Sequence, residues 1–352
     1  MFFVDKYSPK TIDDVQFHKN ELDILKKMSQ DESIPHIIFY GPEGSGKKTL
    51  LKLFMEMLYD KQVNNLIESP YKVTGSGNSI TDVIIKQSNY HIVIEPNNNN
   101  FDRYLIQDVV KEYAKKVPLG IFTSKKSFKT VLINSIDNLS YYAQTSLRRT
   151  MEKFSGNCRF IMWCRSLSKV IDPLRSRCYC FRITSPSEEM LLELLLTVCF
   201  NENIKITFKE TTKIIRKANG NIKKLLWMLQ LKKINESYIT TYDKTIYTIV
   251  KLILTADIEK IIEIRDYIYN IMTTNIPGTQ IIKDIVNFLL KNININFKTK
   301  INIVEISAKT EHNLIRGRRE IIHLEAFITA VMYELFHEYQ KKDLLKASSQ
   351  SV

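Results

Sequence analysis

The chain has 352 residues, of which 44% are hydrophobic and 25% charged, and its net charge is +13. This length predicts two or three domains, and no apolar run reaches the roughly 18 residues that a membrane helix needs. The positive charge favours polyanionic partners such as nucleic acid, although a solvated lysine-rich surface would give the same value. The five cysteines lack the paired spacing of a zinc module, so reduced thiols in a cytosolic or nuclear compartment are expected.

The first half of the sequence alternates short β-rich runs with helical patterns. Strands are predicted at 36–40, 91–94, 130–133 and 159–163, and helices at 50–59, 105–114 and 143–154. Strands that alternate with helices in this way form βαβ units around a parallel sheet. The segment 1–184 is therefore predicted to be an α/β domain.

The pattern changes near Ser185-Pro186-Ser187, after which every strong segment is helical. Three helical segments predict a small domain at 185–235. Further amphipathic segments predict a second helical domain at 240–340. The polar residues 341–352 are expected to form a frayed tail, and the asparagine run at 97–100 a loop.

A glycine-rich loop lies between the first predicted strand and the helix that follows it. Its residues are Gly41, Pro42, Glu43, Gly44, Ser45, Gly46 and Lys47. A Walker A loop requires this context, because glycines let backbone N–H groups surround a phosphate and the helix N-terminus adds a favourable dipole. Lys47 would reach the β- and γ-phosphates. The loop predicts a binding site for ATP or ADP.

The position after Lys47 departs from this motif. A serine or threonine hydroxyl normally holds Mg²⁺ there, whereas this chain has Lys48, with Thr49 one residue later. One residue turns a side chain by about 100° around the helix. Nucleotide binding is therefore expected, and the substitution puts Mg²⁺ coordination at this site in question.

An acidic Walker B motif is expected at the end of the third predicted strand, where Asp positions Mg²⁺ and Glu polarises the attacking water. The strand here runs into Asn134 and Ser135 instead. An amide can hydrogen-bond but cannot neutralise a cation, and serine is a poor base. Asp137 follows two residues later and is interpreted as a helix cap or a loop acid.

Five short segments carry a resemblance to a known family. They are residues 4–9, 41–48, 147–152, 175–178 and 323–327. Together they resemble the small subunits of replication factor C, an AAA+ clamp loader, over most of the chain. The Gly-Lys-Lys run is similar to that of the family's end subunit, whose own ATPase site is degenerate. The resemblance implies an AAA+ domain at 1–184, a helical lid at 185–235 and an all-α collar for oligomerisation at 240–340.

The resemblance also implies roles for individual residues. Val4, Tyr7 and Pro9 stand in the N-terminal box that packs against adenine in this family. Arg177 stands where the family has an arginine finger, which acts in trans on ATP held by a neighbouring subunit. Its alternative interpretation is a surface salt-bridge arginine. Lys223 stands at the second sensor, where a lysine would contact phosphate as a point charge.

Arg165 stands where the family usually has an asparagine that orients the lytic water. Together with Lys48, Asn134 and Ser135 it makes four departures from the family's pattern, and all four weaken hydrolysis. Whether the chain is an enzyme in its own right is therefore uncertain. The departures indicate a subunit that holds nucleotide with little turnover of its own.

The resemblance implies three kinds of partner: other replication factor C subunits in a heteropentamer, a sliding clamp of the proliferating cell nuclear antigen type, and primer–template DNA. Arg103, Lys125 and Lys126 are candidates for contacts with the DNA backbone. Each of these residues is also typical of a solvated charge.

The amphipathic segment 101–114 is a candidate for contact with the sliding clamp. Gln107, Val110 and Tyr113 loosely match a clamp-binding pattern. Simple packing of the helix on its own domain would give the same spacing, so the pattern supports both interpretations.

Two alternative functions remain open at this point. One is an autonomous P-loop ATPase of another AAA+ class, against which the missing Walker B carboxylates argue. The other is a shared subunit of a checkpoint-type clamp loader, which this sequence does not distinguish from a replicative one. The richness in Ile, Lys and Asn fits an AT-rich genome, so the expected compartment is the nucleus, or a viral replication compartment if the source is a large DNA virus.

Overall fold

The computed structural model describes residues 1–75, 80–96, 102–115, 126, 128–292, 295–317 and 319–350. The chain divides into two compact units, Met1–Glu236 and Ser237–Val352. The asparagine run at 97–100 and the candidate Lys125 lie outside the described residues. No helix in the described part of the chain is long and apolar enough to span a membrane.

The first unit contains a seven-stranded sheet and its helices. The strands are β1 (His36–Tyr40), β2 (Ile67–Thr74), β3 (Ile80–Gln87), β4 (His91–Ile94), β5 (Lys129–Ile133), β6 (Cys158–Cys164) and β7 (Cys178–Arg182). The helices are α1 (Phe3–Lys6), α2 (Lys19–Gln30), α3 (Lys47–Tyr59), α4 (Asp102–Leu105), α5 (Lys111–Lys115), α6 (Tyr141–Lys153), α7 (Asp172–Arg175), α8 (Glu188–Glu202), α9 (Phe208–Ala218) and α10 (Ile222–Lys233). A π-helical turn, Ile106–Val110, joins α4 to α5.

The order of the strands across the sheet is β2-β3-β4-β5-β6-β1-β7. The five strands from β4 to β7 in that order are parallel, and Ile37 of β1 pairs with Ile161 of β6 and with Tyr179 of β7. The strands β2 and β3 form an antiparallel hairpin at one edge. The four predicted strands are all present, and the predicted α/β class is confirmed.

Helices pack on both faces of the sheet, because successive side chains of a buried strand point to opposite faces. Leu132 of β5 packs on one side with Phe54 of α3. Its neighbour Val131 packs on the other side with Leu147 of α6. The two-sided core holds the carboxyl ends of the parallel strands at one edge of the sheet, where ligands bind in open α/β folds.

The helices α8, α9 and α10 follow the sheet and form the predicted three-helix arrangement. The side chain of Ser187 caps α8, and that of Asn221 caps α10. The backbone N–H of Thr207, at the start of α9, donates to Glu210. These caps satisfy polar groups that a helix end otherwise leaves without partners. The domain boundary at 184/185 stays a prediction.

The described residues of the second unit form five helices: α11 (Thr241–Thr255), α12 (Lys260–Met272), α13 (Gly278–Asn292), α14 (Phe297–Arg316) and α15 (Glu320–Gln350). Apolar side chains at helical spacing, such as Ile249, Ile285 and Phe327, are fully buried in its core. Arg265 of α12 donates from Nη2 to Glu325 of α15 at 3.0 Å. The helix α15 continues to Gln350, and the frayed tail at 341–352 stays a prediction.

Candidate nucleotide site

The phosphate loop joins β1 to α3, and two of its glycines have no space for a side chain. A Cβ on Gly41 would lie 2.0 Å from the carbonyl oxygen of Ile183. Gly44 has a φ of +74°, and a Cβ there would lie 2.0 Å from Oδ1 of Asn221. Glycine is required at both positions, because a side chain would meet the backbone of Ile183 at Gly41 and the side chain of Asn221 at Gly44.

Lys47, the first residue of α3, is buried, with 5% of its surface exposed. Its ammonium donates to the carbonyl oxygens of Gly41 at 2.7 Å and of Pro42 at 2.5 Å. Burial lowers the pKa of Lys47. The side chain therefore curls back along the inside of the loop and is held there by the loop's own carbonyls.

A cavity of about 1230 Å³ opens in front of this loop. It is lined by the N-terminal segment, the phosphate loop, the ends of two strands and the helical lid. The predicted site residues that line it are Val4, Tyr7, Pro9, Glu43, Gly44, Ser45, Gly46, Lys47, Lys48, Thr49 and Lys223. The structure thus brings together three segments that are far apart in the sequence. Of the predicted residues, Gly41 and Pro42 do not line the cavity; their carbonyl oxygens accept hydrogen bonds from Lys47.

The N-terminal segment is held against the lid by a carboxylate that the sequence did not single out. Glu202, at the end of α8, has a side chain that is only 5% exposed. It pairs with Lys233 at 2.5 Å and with Lys6 at 2.5 Å, and it accepts a hydrogen bond from the hydroxyl of Tyr7 at 2.8 Å. These three donors lower the pKa of Glu202 to about 2. Burial, and after it the hydrogen bond to Glu202, raises the pKa of Tyr7 to about 12.

The ends of β4, β5 and β6 meet at the phosphate end of the cavity. The Nε1 atom of Trp163 donates to Oδ1 of Asn134 at 2.9 Å. The amide of Asn134 in turn donates to Glu95 at 3.0 Å. The ammonium groups of Lys47 and Lys48 lie 5.9 and 5.0 Å from the centroid of a Trp163 ring, within the range of cation–π attraction.

Asp137 is a loop acid rather than a helix cap. Its Oδ2 accepts the backbone N–H of Arg165 at 3.2 Å, whereas α6 is capped by Ser140. Its Oδ1 is buried and has no hydrogen-bond partner among the described residues. The side chain of Arg165 reaches the other way and lies 3.7 Å from Glu43 of the phosphate loop. Asp137 therefore ties the end of β6 to the end of β5.

Comparisons with known proteins show the family of the chain. The family model described as replication factor C subunit 3, C-terminal domain, matches residues 242–339, and that described as DNA polymerase III, delta subunit, matches residues 17–187. A protein of Acanthamoeba polyphaga mimivirus, named as a replication factor C small subunit, is 42% identical over 340 residues, 95% of this chain and 91% of its own length. Human replication factor C subunit 3 is 32% identical over 349 residues, 96% of this chain and 97% of its own length. The chain belongs to the replication factor C small subunits.

One solved structure aligns with the chain at low similarity. A DNA polymerase III gamma subunit-related protein of Thermotoga maritima aligns with a TM-score of 0.46 and 12% identity, over 89% of this chain and 99% of that one. Membership of the replication factor C family confirms the predicted AAA+ class and makes the chain a subunit of a multi-subunit clamp loader. The AAA+ P-loop family binds nucleotide and generally uses Mg²⁺.

Arg177, the predicted arginine finger, lies outside the cavity, just before β7. Its Nε is paired with Glu152 of α6 at 2.6 Å, and its Nη1 donates to the carbonyl of Pro173 at 2.8 Å. About 40% of the side chain is exposed. Nη2 has no hydrogen-bond partner among the described residues. The pair with Glu152 is the salt bridge that the alternative interpretation predicted, and it leaves part of the guanidinium open to a partner.

Two expectations about DNA and the clamp change with the structure. Lys126 is 6% exposed and donates to the carbonyl of Asp31, so its ammonium does not face solvent and the expectation of a DNA contact is wrong. Val110 is fully buried, and the amide of Gln107 donates to the hydroxyl of Ser146 at 3.0 Å. The spacing that resembled a clamp motif is therefore explained by packing of the helix on its own unit.

Several residues in and around the cavity had no role in the sequence prediction. Trp163 and Asn221 line the cavity, and Glu202 holds its N-terminal wall. A signal existed for Trp163, because a large aromatic two residues before Arg165 faces the same strand end as the phosphate loop. No local pattern marks Glu202, since its partners Lys6 and Lys233 come from opposite ends of the first unit.

Proposed function

We propose that this replication factor C subunit holds ATP or ADP in the 1230 Å³ cavity and hydrolyses little of it. In the proposed assembly, a heteropentamer with other replication factor C subunits, it helps to load a sliding clamp onto primer–template DNA. The observation that carries the proposal is the meeting of the N-terminal segment, the phosphate loop and the lid around one cavity. A nucleotide is a ligand that such a composite site fits.

The binding part of the proposal assigns a role to each wall. Val4, Tyr7 and Pro9 form the wall for adenine. The loop N–H groups and the start of α3 receive the phosphates, for which the helix N-terminus is a favourable environment. Lys47 exchanges its loop carbonyls for phosphate oxygens. Lys223, at the start of α10, adds a second positive charge from the lid.

The low turnover in the proposal follows from the chemistry of the strand ends. Neither Asn134 nor Ser135 has a carboxylate that could polarise water. The amide of Asn134 is already engaged on both sides, by Trp163 and by Glu95. Arg165 has no acceptor for the proton of an attacking water. General-base catalysis therefore has no residue to perform it at the usual place.

The catalytic contribution in the proposal is made in trans by Arg177. Its guanidinium is held at Nε by Glu152, and a fixed arginine can stabilise the charge that develops on a γ-phosphate. The substrate would be ATP bound by a neighbouring subunit. The working compartment would be the one in which that assembly replicates DNA, the nucleus or a viral replication compartment.

Single-turnover hydrolysis of γ-labelled ATP by the purified chain tests the proposal, with retained nucleotide measured in the same samples. Retention without turnover is expected, and Lys47→Ala should abolish retention. Lys52→Ala, which removes an exposed lysine from the same helix, is the matched control and should retain nucleotide. Turnover that requires Lys47 and Mg²⁺ would overturn the proposal in favour of an autonomous P-loop ATPase.

A further inference from the structure

At two positions that usually hold Mg²⁺ in AAA+ sites, this chain has Lys48 in place of a hydroxyl and Asn134 in place of a carboxylate. Accepting the proposed nucleotide binding, we infer that this subunit binds nucleotide without a divalent metal ion. In this arrangement the ammonium of Lys48 supplies the positive charge that Mg²⁺ supplies in other AAA+ sites.

The residue after Lys47 does not suit a metal ion. Mg²⁺ demands oxygen donors in near-octahedral geometry, and the loop position that normally offers a hydroxyl is Lys48. An ammonium has three N–H donors and no lone pair for a metal. Lys48 lines the cavity, with Nζ 5.0 Å from the Trp163 ring. A cation is therefore already present beside the position of the missing hydroxyl.

The side chains at the end of β5 are engaged in other contacts. Asn134 accepts a hydrogen bond from Trp163 and donates one to Glu95, so its amide is fixed with its oxygen toward the indole. Trp163 is 9% exposed and lines the cavity, whereas Asn134 does not. The Oδ2 of Asp137 accepts the Arg165 N–H, and its Oδ1 is buried. Neither Asn134 nor Asp137 lines the cavity, and the residue of this strand end that does is Ser135, which has no carboxylate.

The cavity lining carries an excess of positive charge. Seven lysine and arginine side chains line the cavity against three carboxylates, an excess of four positive charges. Of those carboxylates, Glu43 faces Arg165 at 3.7 Å, and Asp14 accepts the backbone N–H groups of Lys10 and Thr11. The cavity therefore compensates a polyphosphate with its own cations, and it does not need a bound metal to do so.

Calorimetric titration of ADP into the full chain tests the inference, once in EDTA and once in Mg²⁺. The two dissociation constants are expected to agree within about threefold. Lys48→Thr, which removes the ammonium and restores a hydroxyl, should weaken binding in EDTA by about tenfold to a hundredfold, the value of a charge-assisted hydrogen bond. Lys48→Arg keeps the charge and should keep most of the affinity, and Lys52→Thr is the matched control on the same helix.

Tryptophan fluorescence reports whether the side chain of Lys48 moves away from Trp163. The chain has two tryptophans, so Trp227→Phe leaves Trp163 as the only reporter. Binding of ADP in EDTA should change its emission, because Lys48 leaves the indole for a phosphate. The change should be smaller when Lys48→Thr is added.

The outcomes separate the two proposals. Binding only in Mg²⁺ would overturn the metal-free inference and leave nucleotide binding intact. Equal affinities of the wild type and Lys48→Thr in EDTA would overturn the role of Lys48 and also leave nucleotide binding intact. No binding in either condition would overturn nucleotide binding itself. Thermal melts of each variant identify a loss that comes from unfolding.

Discussion

Asn221 of the lid lies directly against Gly44 of the phosphate loop. A Cβ on Gly44 would be 2.0 Å from Oδ1 of Asn221, and the next residue, Ile222, donates its backbone N–H to the carbonyl of Gly44 at 3.1 Å. The same Oδ1 caps α10 by accepting from Lys224. The start of the lid helix therefore packs directly on the bend of the phosphate loop. A substitution in either segment should alter the conformation of the other.

This contact predicts a large effect of Gly44→Ala. The new methyl would meet Asn221, and the positive φ would strain any other residue, so the free energy of unfolding should fall by about 1–3 kcal/mol. Affinity for ADP should fall as well. Gly156→Ala is the control, because a Cβ there meets nothing within 4 Å. Equal urea unfolding curves for the two variants would contradict the packing of lid on loop.

The carboxylate of Glu202 predicts a dependence on pH. Its pKa of about 2 lies below the usual 4.5, so its pairs with Lys233 and Lys6 stabilise the folded protein fully above pH 4.5. That contribution is lost as the pH falls from 4.5 toward 2. Glu202→Gln should remove it and loosen the N-terminal wall of the cavity.

The measurement is a series of thermal melts of wild type and Glu202→Gln between pH 7 and pH 3. The difference between the two proteins should shrink as the pH falls. Glu193→Gln, at an exposed position of the same helix α8, should differ little from the wild type at any pH. A difference for Glu202→Gln that does not change with pH would show that the ion pairs are not its cause.

The bond between Trp163 and Asn134 predicts a cost for losing the indole N–H. Trp163→Phe would leave Oδ1 of Asn134 half-buried without this donor, which typically costs about 1–3 kcal/mol. Chemical denaturation measures the loss. Trp227, which is 46% exposed, provides the control substitution Trp227→Phe, and a comparable loss there would show that aromatic volume rather than the hydrogen bond matters.

Arg177 predicts an effect that appears only in the assembly. Arg177→Ala should leave ADP affinity of the isolated chain unchanged, because the residue lies outside the cavity. In a reconstituted clamp loader it should lower ATP turnover at the neighbouring site by about 10³–10⁵-fold, the range of an arginine finger. Arg216→Ala, at an exposed position of α9, should leave turnover unchanged. Normal turnover with Arg177→Ala would assign the residue to its salt bridge with Glu152.

Most strands and helices could be predicted from the sequence because their hydrophobic patterns are strong and local. Continuous apolar runs marked the buried parallel strands, and spacing of 3.6 residues marked the helices. The sequence did not reveal β7, whose residues are mostly half-exposed, or the hairpin of β2 and β3, where most side chains face solvent. The buried face of the hairpin is short, with Val73 and Ile85 buried and Tyr71 and Val83 packed beside them, so its hydrophobic pattern is weak.

By itself, the sequence determined the phosphate loop, the loss of the Walker B carboxylates and the family, because these depend on residue types at short, fixed spacing. Only the tertiary structure decided which distant residues meet: Glu202 with Lys6 and Lys233, Asn221 with Gly44, and Trp163 with Asn134. The order of strands across the sheet and the position of the lid bring these partners together. Such contacts depend on packing between segments far apart in the chain, and no local pattern records them.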